Sequence, residues 1–315
     1  MGSTTMLKSV LVAGKSGQLG QSIHKIASAY PQFEFIFTGR EELDFSSAES
    51  MTTFFRDKHF DVIINCIAYT SVDQAESDPA LADQVNHLAV KKLAELAKAQ
   101  CAFLIHVSTD YVFNGQNFKP YIENNPVDPL GVYGHSKLKG ERAVQAVNPH
   151  GCIIRTSWLY SEFGNNFVKT MLRLGQARDS LDVIFDQVGS PTYAEDLARM
   201  ILRVAHVIVV EARQSIQLED DSCNQRLVDV YHFSNEGVCS WYDFAKAIFE
   251  LSGTQCSVMP IETKDYPVPA TRPHYSVMNK AKIKQAFALD IPYWRDSLRS
   301  CLNQIEQNDN YDKAD

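Results

Sequence analysis

Paired cysteines are missing from this 315-residue chain. Its seven cysteines (Cys66, Cys101, Cys152, Cys223, Cys239, Cys256 and Cys301) are scattered, and none forms C-x-x-C. An odd count at irregular spacing argues against a disulfide framework and fits free thiols in a reducing compartment, so a cytoplasmic location is expected. The nine histidines show no metal-ligand spacing, and no bound metal is expected. No apolar run reaches the ~18 residues that a membrane span needs. The opening Met1–Met6 is short and polar, so no secretory leader is expected. Basic residues are outnumbered, 30 Lys and Arg against 38 Asp and Glu, for a net charge of −8. That disfavours nucleic acid as a partner, while local cations in a cleft could still hold an anionic small molecule. Clear repeats and low-complexity stretches are absent as well.

What is present is an alternation. Hydrophobic residues make up 45% and charged residues 22% of the chain, ample for a large core. An apolar run from Lys8 to Ala13 passes straight into Gly14-Lys15-Ser16-Gly17-Gln18-Leu19-Gly20 and then into a helical stretch. Strand, glycine-rich turn and helix in that order let backbone N–H groups approach a pyrophosphate at a helix N-terminus. The whole turn from Gly14 through Gly17, Gln18 and Leu19 to Gly20 is therefore read, on its three glycines, as a dinucleotide cradle; the plainer alternative is a strand-to-helix turn with packing glycines. The next strand, Phe33 to Thr38, ends at Gly39-Arg40. An acid there would suit the ribose of NAD, whereas Arg40 suits the extra phosphate of NADP. Glu41 and Glu42 offer Arg40 a surface ion pair instead. The following helix is capped by Ser46 or Ser47.

Further apolar runs, Asp61 to Ala68, Ala102 to Val107 and Cys152 to Thr156, carry polar residues at their C-terminal ends. These are Tyr69-Thr70, Ser108-Thr109-Asp110 and Ser157-Trp158. Ligands of such sheets gather outside the carboxyl ends of the strands. Between two of the runs, Val85, Leu88, Ala89, Leu93 and Leu96 form a helical stripe. Asn86 on that helix is either a buried hydrogen-bonding residue or polar filler, and His106 reads as a satisfied core residue. The repeated strand–helix order predicts an α/β fold, a Rossmann-like doubly wound parallel sheet. Beyond Tyr160 the rhythm loosens into a smaller α+β C-terminal substrate lobe, with a polar excursion over 211–226 and a proline-rich flap from Pro260 to Pro273. The expected division is a dinucleotide-binding domain at 7–160 and a mainly substrate-binding lobe at 161–305. Segments 181–210 and 229–252 are candidates to return to the first.

Tyr133 and Lys137, four positions apart, share a face if their stretch is helical. A phenol with an ordinary pKa near ~10 is a poor acid–base group at neutral pH. A nearby ammonium favours its ionised form, and a strand-end hydroxyl such as Thr109 can share the substrate oxygen. Tyr-x-x-x-Lys alone is common on solvated helices; here several strand ends converge with it.

Narrower motifs follow in order. Ser108-Thr109-Asp110-Tyr111-Val112-Phe113, Arg155-Thr156-Ser157-Trp158, Gly164-Asn165-Asn166-Phe167, Asp186-Gln187-x-Gly189-Ser190-Pro191-Thr192 and Ala270-Thr271-Arg272-Pro273 accompany the glycine-rich turn and Tyr133-x-x-x-Lys137. From about Val10 to Leu298 the chain resembles the dTDP-4-dehydrorhamnose reductases, a family of extended short-chain dehydrogenases/reductases. The resemblance implies hydride transfer from NADPH (or NADH) to C4 of a dTDP-4-keto sugar. In it Tyr133 is the proton donor, Lys137 holds the nicotinamide ribose and keeps the phenol pKa low, and Thr109 polarises the ketone. Asp44 and Phe45 match adenine contacts, and Ala68, Tyr69 and Thr70 match cofactor contacts. Thr109, Asp110 and Trp158 match the sugar-nucleotide site, with Arg272 a candidate for the diphosphate. Asp186 and Gln187 either brace their loop or meet substrate or a second subunit.

Some relatives hold Mg²⁺ between subunits, but Gln21-Ser22 lacks the required carboxylate and Glu195 cannot make that site alone. Self-association as a homodimer stays open. So do a reductase of another dTDP-4-keto sugar, an NAD-retaining epimerase or dehydratase, and a non-catalytic regulatory binding protein of the same fold.

Overall fold

The computed structural model describes residues 7–211 and 228–312, with side chains through residue 308. Apart from Glu211, the polar excursion 211–226, including Cys223, lies outside the described residues. The apolar runs become β1 (Lys8–Ala13), β2 (Phe33–Thr38), β3 (Val62–Asn65), β4 (Phe103–Thr109) and β5 (Gly151–Thr156). With β10 (Asp229–His232) they form a six-stranded sheet in the order β10-β5-β4-β3-β1-β2. All five pairings in it are parallel. The order reverses beside β1, which opens a crevice at the carboxyl ends of β1, β3 and β4.

Successive residues of each strand bury on opposite faces, which is why these strands read as unbroken apolar runs. Val10, Val12, Ile64, Ile105 and Ile154 pack on one face with α1 (Gln18–Ile26) and α8 (Ala194–His206). Leu11, Ile63, Leu104 and Ile153 pack on the other with Met51 and Phe55 of α2 (Ala48–Arg56) and Leu93 of α5 (Ala89–Ala99). Each such side chain, fully buried, contributes about 1.5–3 kcal/mol. Ser47 caps α2 by accepting the Ser50 N–H.

The remaining elements build a second core around Tyr160, Phe244, Trp294 and Leu298. There β7 (Ser180–Ile184) pairs with β12 (Ser257–Ile261) instead of joining the large sheet, and helix Trp241–Ser252 packs beside them. Two-residue strands complete the lobe, β6 (Leu159–Tyr160) with β9 (Thr192–Tyr193), and β8 (Val188–Gly189) with β11 (Cys239–Ser240). Among the described residues no helix is long and apolar enough to cross a membrane.

The helix that carries Tyr133 is α6 (Val132–Val147). Two glycines let its backbone press against its neighbours. A Cβ at Gly134 would sit 2.4 Å from the Tyr111 carbonyl oxygen, and one at Gly140 2.2 Å from that of Asn86. Asn86 lies in a π turn, Gln84–Leu88, between α4 (Pro79–Asp83) and α5. It is a buried hydrogen-bonding residue: its Oδ1 accepts from the Tyr69 N–H at 2.9 Å, and its amide donates to the Tyr69 carbonyl at 3.1 Å and to Ser136 Oγ at 3.0 Å. The third strand end and α6 are thereby fixed to one side chain.

Candidate active site

The carboxyl ends of the central strands open into a cleft of about 550 Å3. Ser16, Gly17, Gln18 and Leu19 line one wall, Ala68 and Thr70 the next, and Thr109, Asp110, Tyr133 and Lys137 the base. Trp158 closes the far side. Most of the residues singled out along the sequence, spread over some 140 positions, thus meet at one place.

The glycine-rich turn is shaped by close approach. Gly14 has φ +102°, and a Cβ on Gly20 would fall 2.1 Å from the Gly14 carbonyl oxygen. Gly14 makes the turn without lining the cleft. Gly17, the N-cap of α1, has no side-chain cap, so the first N–H groups of that helix face the cleft wall. A backbone N-terminus bared in this way fits a pyrophosphate.

Tyr133 and Lys137 occupy successive turns of α6 and are both buried. Burial pushes the Tyr133 hydroxyl up to about 12, with Thr109 pulling it down and Asp110 pushing it further up. This departs from the expectation that Lys137 keeps the phenol pKa low. Lys137 Nζ donates instead to the Val107 carbonyl at 2.7 Å, and desolvation of the phenol dominates. The phenol is therefore protonated at neutral pH. Burial pulls the Lys137 ammonium down to about 8, against the opposing charge of Glu141 one turn later. Thr109 Oγ1 donates to Asp110 Oδ1 at 3.1 Å and accepts from the Tyr111 N–H at 3.2 Å. Asp110 Oδ2 is buried with no partner at hydrogen-bond geometry; burial raises that carboxyl to about 6, with the Ser276 and Thr109 hydroxyls nearby pulling it back down. An unpartnered oxygen on a cleft wall is a ready acceptor for a ligand hydroxyl.

Behind the site runs a buried ion pair. Glu141 accepts from Arg155 Nε at 2.9 Å and Nη2 at 2.7 Å, and from Ser108 Oγ at 2.5 Å. Helix α6 is thereby bolted to the ends of β4 and β5. His106 is only partly satisfied: Nδ1 meets Asn65 at 3.0 Å, whereas Nε2 has no partner. Burial, then the Lys137 charge, holds its imidazole well below the ordinary value.

Several expected residues stand away from the cleft. Phe45 is buried in the sheet core, and the Asp44 carboxylate accepts from Ser46 Oγ at 2.7 Å and N–H at 2.8 Å. Arg40 is exposed; Glu42 pairs with Lys15 and takes the Gly39 N–H. Tyr69 is held by Asn86 through its backbone and does not line the cleft. Asp186 and Gln187 both hydrogen-bond Thr263, at 2.7 and 3.1 Å, and Gln187 also lines the cavity that Arg272 borders. Glu195 is engaged by Lys25 at 2.9 Å and Arg199 at 2.6 Å. Among the described residues no group of three or more His, Cys, Asp or Glu could hold a metal.

Arg272 lines a second cavity of about 560 Å3 and pairs with Asp73. Trp158 (φ +49°) stacks on Trp241 at 3.6 Å between ring centres, and Trp241 lines that second cavity. The two indoles form a wall between the cavities. Sequence reasoning missed Asp73, Glu141 and Trp241, and took Asn165-Asn166 only as the opening of a helix from Phe167 to Gln176, without its tie to Gln18. Asn166 caps α7 (Phe167–Ala177) by accepting the Lys169 N–H at 3.2 Å, and its amide donates to Gln18 Oε1 at 3.0 Å. Its place in Gly164-Asn165-Asn166-Phe167 was the one available signal.

A doubly wound sheet with Thr109, Tyr133 and Lys137 on one cleft defines an oxidoreductase of the extended short-chain dehydrogenase/reductase type. A family model described as RmlD substrate binding domain matches residues 8–307. The chain is 40% identical over 297 residues to a dTDP-4-dehydrorhamnose reductase of Aggregatibacter actinomycetemcomitans, covering 92% of this chain and 97% of that protein. It is 39% identical over 292 residues to one of Sinorhizobium fredii, covering 91% and 94%. The crystal structure of a Bacillus anthracis dTDP-4-dehydrorhamnose reductase in complex with NADP superimposes with a TM-score of 0.85 at 33% identity, covering 95% of this chain and all of that one. The chain belongs to the RmlD substrate-binding-domain family.

Proposed function

We propose that this protein reduces the C4 ketone of dTDP-4-dehydro-β-L-rhamnose to dTDP-L-rhamnose with NADPH, or with NADH, in nucleotide-sugar biosynthesis. The observation that carries the proposal is the meeting of Thr109, Tyr133 and Lys137 at one cleft, beside the glycine-rich turn, in a chain of this family. The bared N-terminus of α1 fits the cofactor pyrophosphate, and exposed Arg40 at the end of β2 suits the extra phosphate of NADPH. When bound, the dinucleotide supplies the hydride that reaches C4.

The chain's own groups handle the proton and the position. Thr109 hydrogen-bonds the ketone oxygen and polarises it. Tyr133, protonated at neutral pH, gives its proton to the oxygen as charge develops there, because an alkoxide is far more basic than a phenolate. Lys137 holds the ribose and offsets the charge left on Tyr133. Asp110 accepts a sugar hydroxyl through its unpartnered Oδ2, and Trp158 packs on the sugar-nucleotide. Ala68 and Thr70 contact the cofactor directly; Gly14, Tyr69, Asp44 and Phe45 support it through the backbone or the core. Arg272 meets the diphosphate, which places the nucleotide end in the second cavity.

This reading keeps residues 7–160 for dinucleotide binding, joined by the described parts of 181–210 and 229–252 that pack on the large sheet, such as α8 and β10, and leaves the rest of the described residues in 161–305 mainly to the substrate. It locates the enzyme in the cytoplasm, in keeping with the free thiols of Cys66, Cys152, Cys239, Cys256 and Cys301. The test is to mix the protein with dTDP-4-dehydrorhamnose and NADPH or NADH and follow the reduced-nicotinamide absorbance. Oxidation stoichiometric with dTDP-rhamnose formed is expected. No oxidation with either cofactor would discard the reading, and tightly retained NAD would point to an epimerase or dehydratase. Light scattering on the same preparation decides between monomer and homodimer.

A further inference from the structure

The lip of the second cavity carries two opposite charges, Asp73 and Arg272. Asp73 stands on the short helix α3 (Val72–Ala75) at the edge of the sheet lobe. Arg272 ends the proline-rich strap 262–273, whose beginning is pinned where the Thr263 N–H and hydroxyl donate to Asp186 at 2.9 and 2.7 Å. The far end of the strap is tied across to the sheet lobe. Asp73 Oδ1 accepts from the Ala270 N–H at 3.2 Å and from Arg272 Nη1 at 3.0 Å, and Oδ2 accepts from Nη2 at 2.7 Å.

A guanidinium has a limited supply of donors. Arg272 Nη1 gives one to Asp73 and one to the Ala270 carbonyl at 3.1 Å, and Nη2 gives another to Asp73. The Tyr111 hydroxyl draws on the same group. Asp73 therefore covers the end-on fork, Nη1 with Nη2, which is a face that an arginine turns to a phosphate. The pair is also accessible: the side chains are 22% exposed for Arg272 and 42% for Asp73. An ion pair in that setting is cheap to open, and a second anion can compete for it. Arg272 is linked back to the chemistry as well, because Tyr111 packs edge-to-face on Tyr133 with ring centres 5.3 Å apart.

We propose that Asp73 is a placeholder for the substrate's diphosphate: its carboxylate keeps Arg272 aimed at the lip and the strap closed until a diphosphate takes the same fork. The inference rests on the nucleotide-sugar reading above. A neutral sugar has no charge with which to displace a carboxylate, whereas a diphosphate does. Asp73 is thus a specificity-determining residue that filters ligands by charge and acts through Arg272.

The test is titration calorimetry with two probes, dTDP and neutral thymidine, on wild type, D73N, D73E and R272Q. D73N removes the competing charge and keeps the shape, so it should bind dTDP about two- to fivefold more tightly, the span an exposed ion pair commands. D73E should stay near wild type, R272Q should bind dTDP more weakly, and thymidine should bind all four alike. A purely structural role for Asp73 would move dTDP the other way. Weaker dTDP binding by D73N, or equal tightening of thymidine, overturns the proposal. Should D73N fail to fold, R272Q decides: unchanged dTDP affinity there overturns it too. Wild-type turnover with the keto sugar is scored separately. Loss of the reductase reading therefore shows as no turnover, and loss of the placeholder as normal turnover with the wrong order of affinities.

Discussion

Arg155–Glu141 and Arg272–Asp73 are the same chemistry in two settings. In both, Nη2 lies 2.7 Å from a carboxylate oxygen. The first pair is sealed behind α6, with side chains only 5% and 2% exposed. The second sits on a cavity lip with solvent on both partners. Burying two charges is repaid only while both remain, so removing either partner from the first is severe. Water screens the second and softens its loss. The difference teaches that hydrogen-bond length does not rank these contacts; burial does. On the sealed side the molecule keeps groups that must hold position, and on the open side a group that can exchange partners.

The largest expected effect lies on the cleft face of the helix that the sealed pair holds in place. Tyr133→Phe removes the hydroxyl proposed as proton donor but little packing, so turnover should fall by about 10²–10⁴-fold. Cofactor affinity, read by nicotinamide fluorescence, should persist. Unchanged turnover would remove Tyr133 from its role. Next, Glu141→Ala strands Arg155 in the interior and should cost about 3–5 kcal/mol in urea unfolding. Asp73→Ala should cost no more than about 1 kcal/mol in the same assay. Equal losses would erase the contrast between the two pairs.

A pH profile sharpens the comparison further. Lys137 is an amine whose pKa burial lowers to about 8, so its ammonium is present below that pH and is lost as pH rises through it. Catalytic efficiency should therefore fall above about pH 8. Folding stability moves the opposite way: this group's burial penalty is relieved between about 8 and the ordinary value of 10.5. Glu141→Gln should shift the activity limb to lower pH, because the carboxylate opposes the desolvation; an unmoved limb would sever that link. A similarly small effect is expected at the joint between the lobes. Asn166→Ala loses the cap on α7 and the tie to Gln18, for about 1 kcal/mol, with a weaker grip on the cofactor as its functional readout.

Much of the sheet lobe was legible because its signals are local. Apolar runs, glycine spacing and strand-end polar residues lie within a few positions of one another, and parallel α/β topology brings those ends together. Thr109, Asp110, Tyr133, Lys137 and Trp158 could be named on that basis and do line the cleft. Partners far apart in the chain were not legible. Asp73 and Arg272 are separated by 199 positions, and Gln18 and Asn166 by 148. Periodicity says which face a side chain occupies, not what stands opposite it. The state of Tyr133 was hidden for a related reason: i, i+4 spacing brings a lysine near, but the Val107 carbonyl that claims it comes from another strand. The second lobe was least readable, since the pairing of β7 with β12 spans a long excursion.

The stacked indoles of Trp158 and Trp241 also give the molecule a built-in optical gauge. The chain has three tryptophans, and two of them share one contact, 3.6 Å apart and within 9° of parallel. One face of this couple borders the cleft and the other the second cavity. Whatever enters either chamber changes the surroundings of the same chromophore pair, so emission from the unlabelled protein reports occupancy on both sides of the partition.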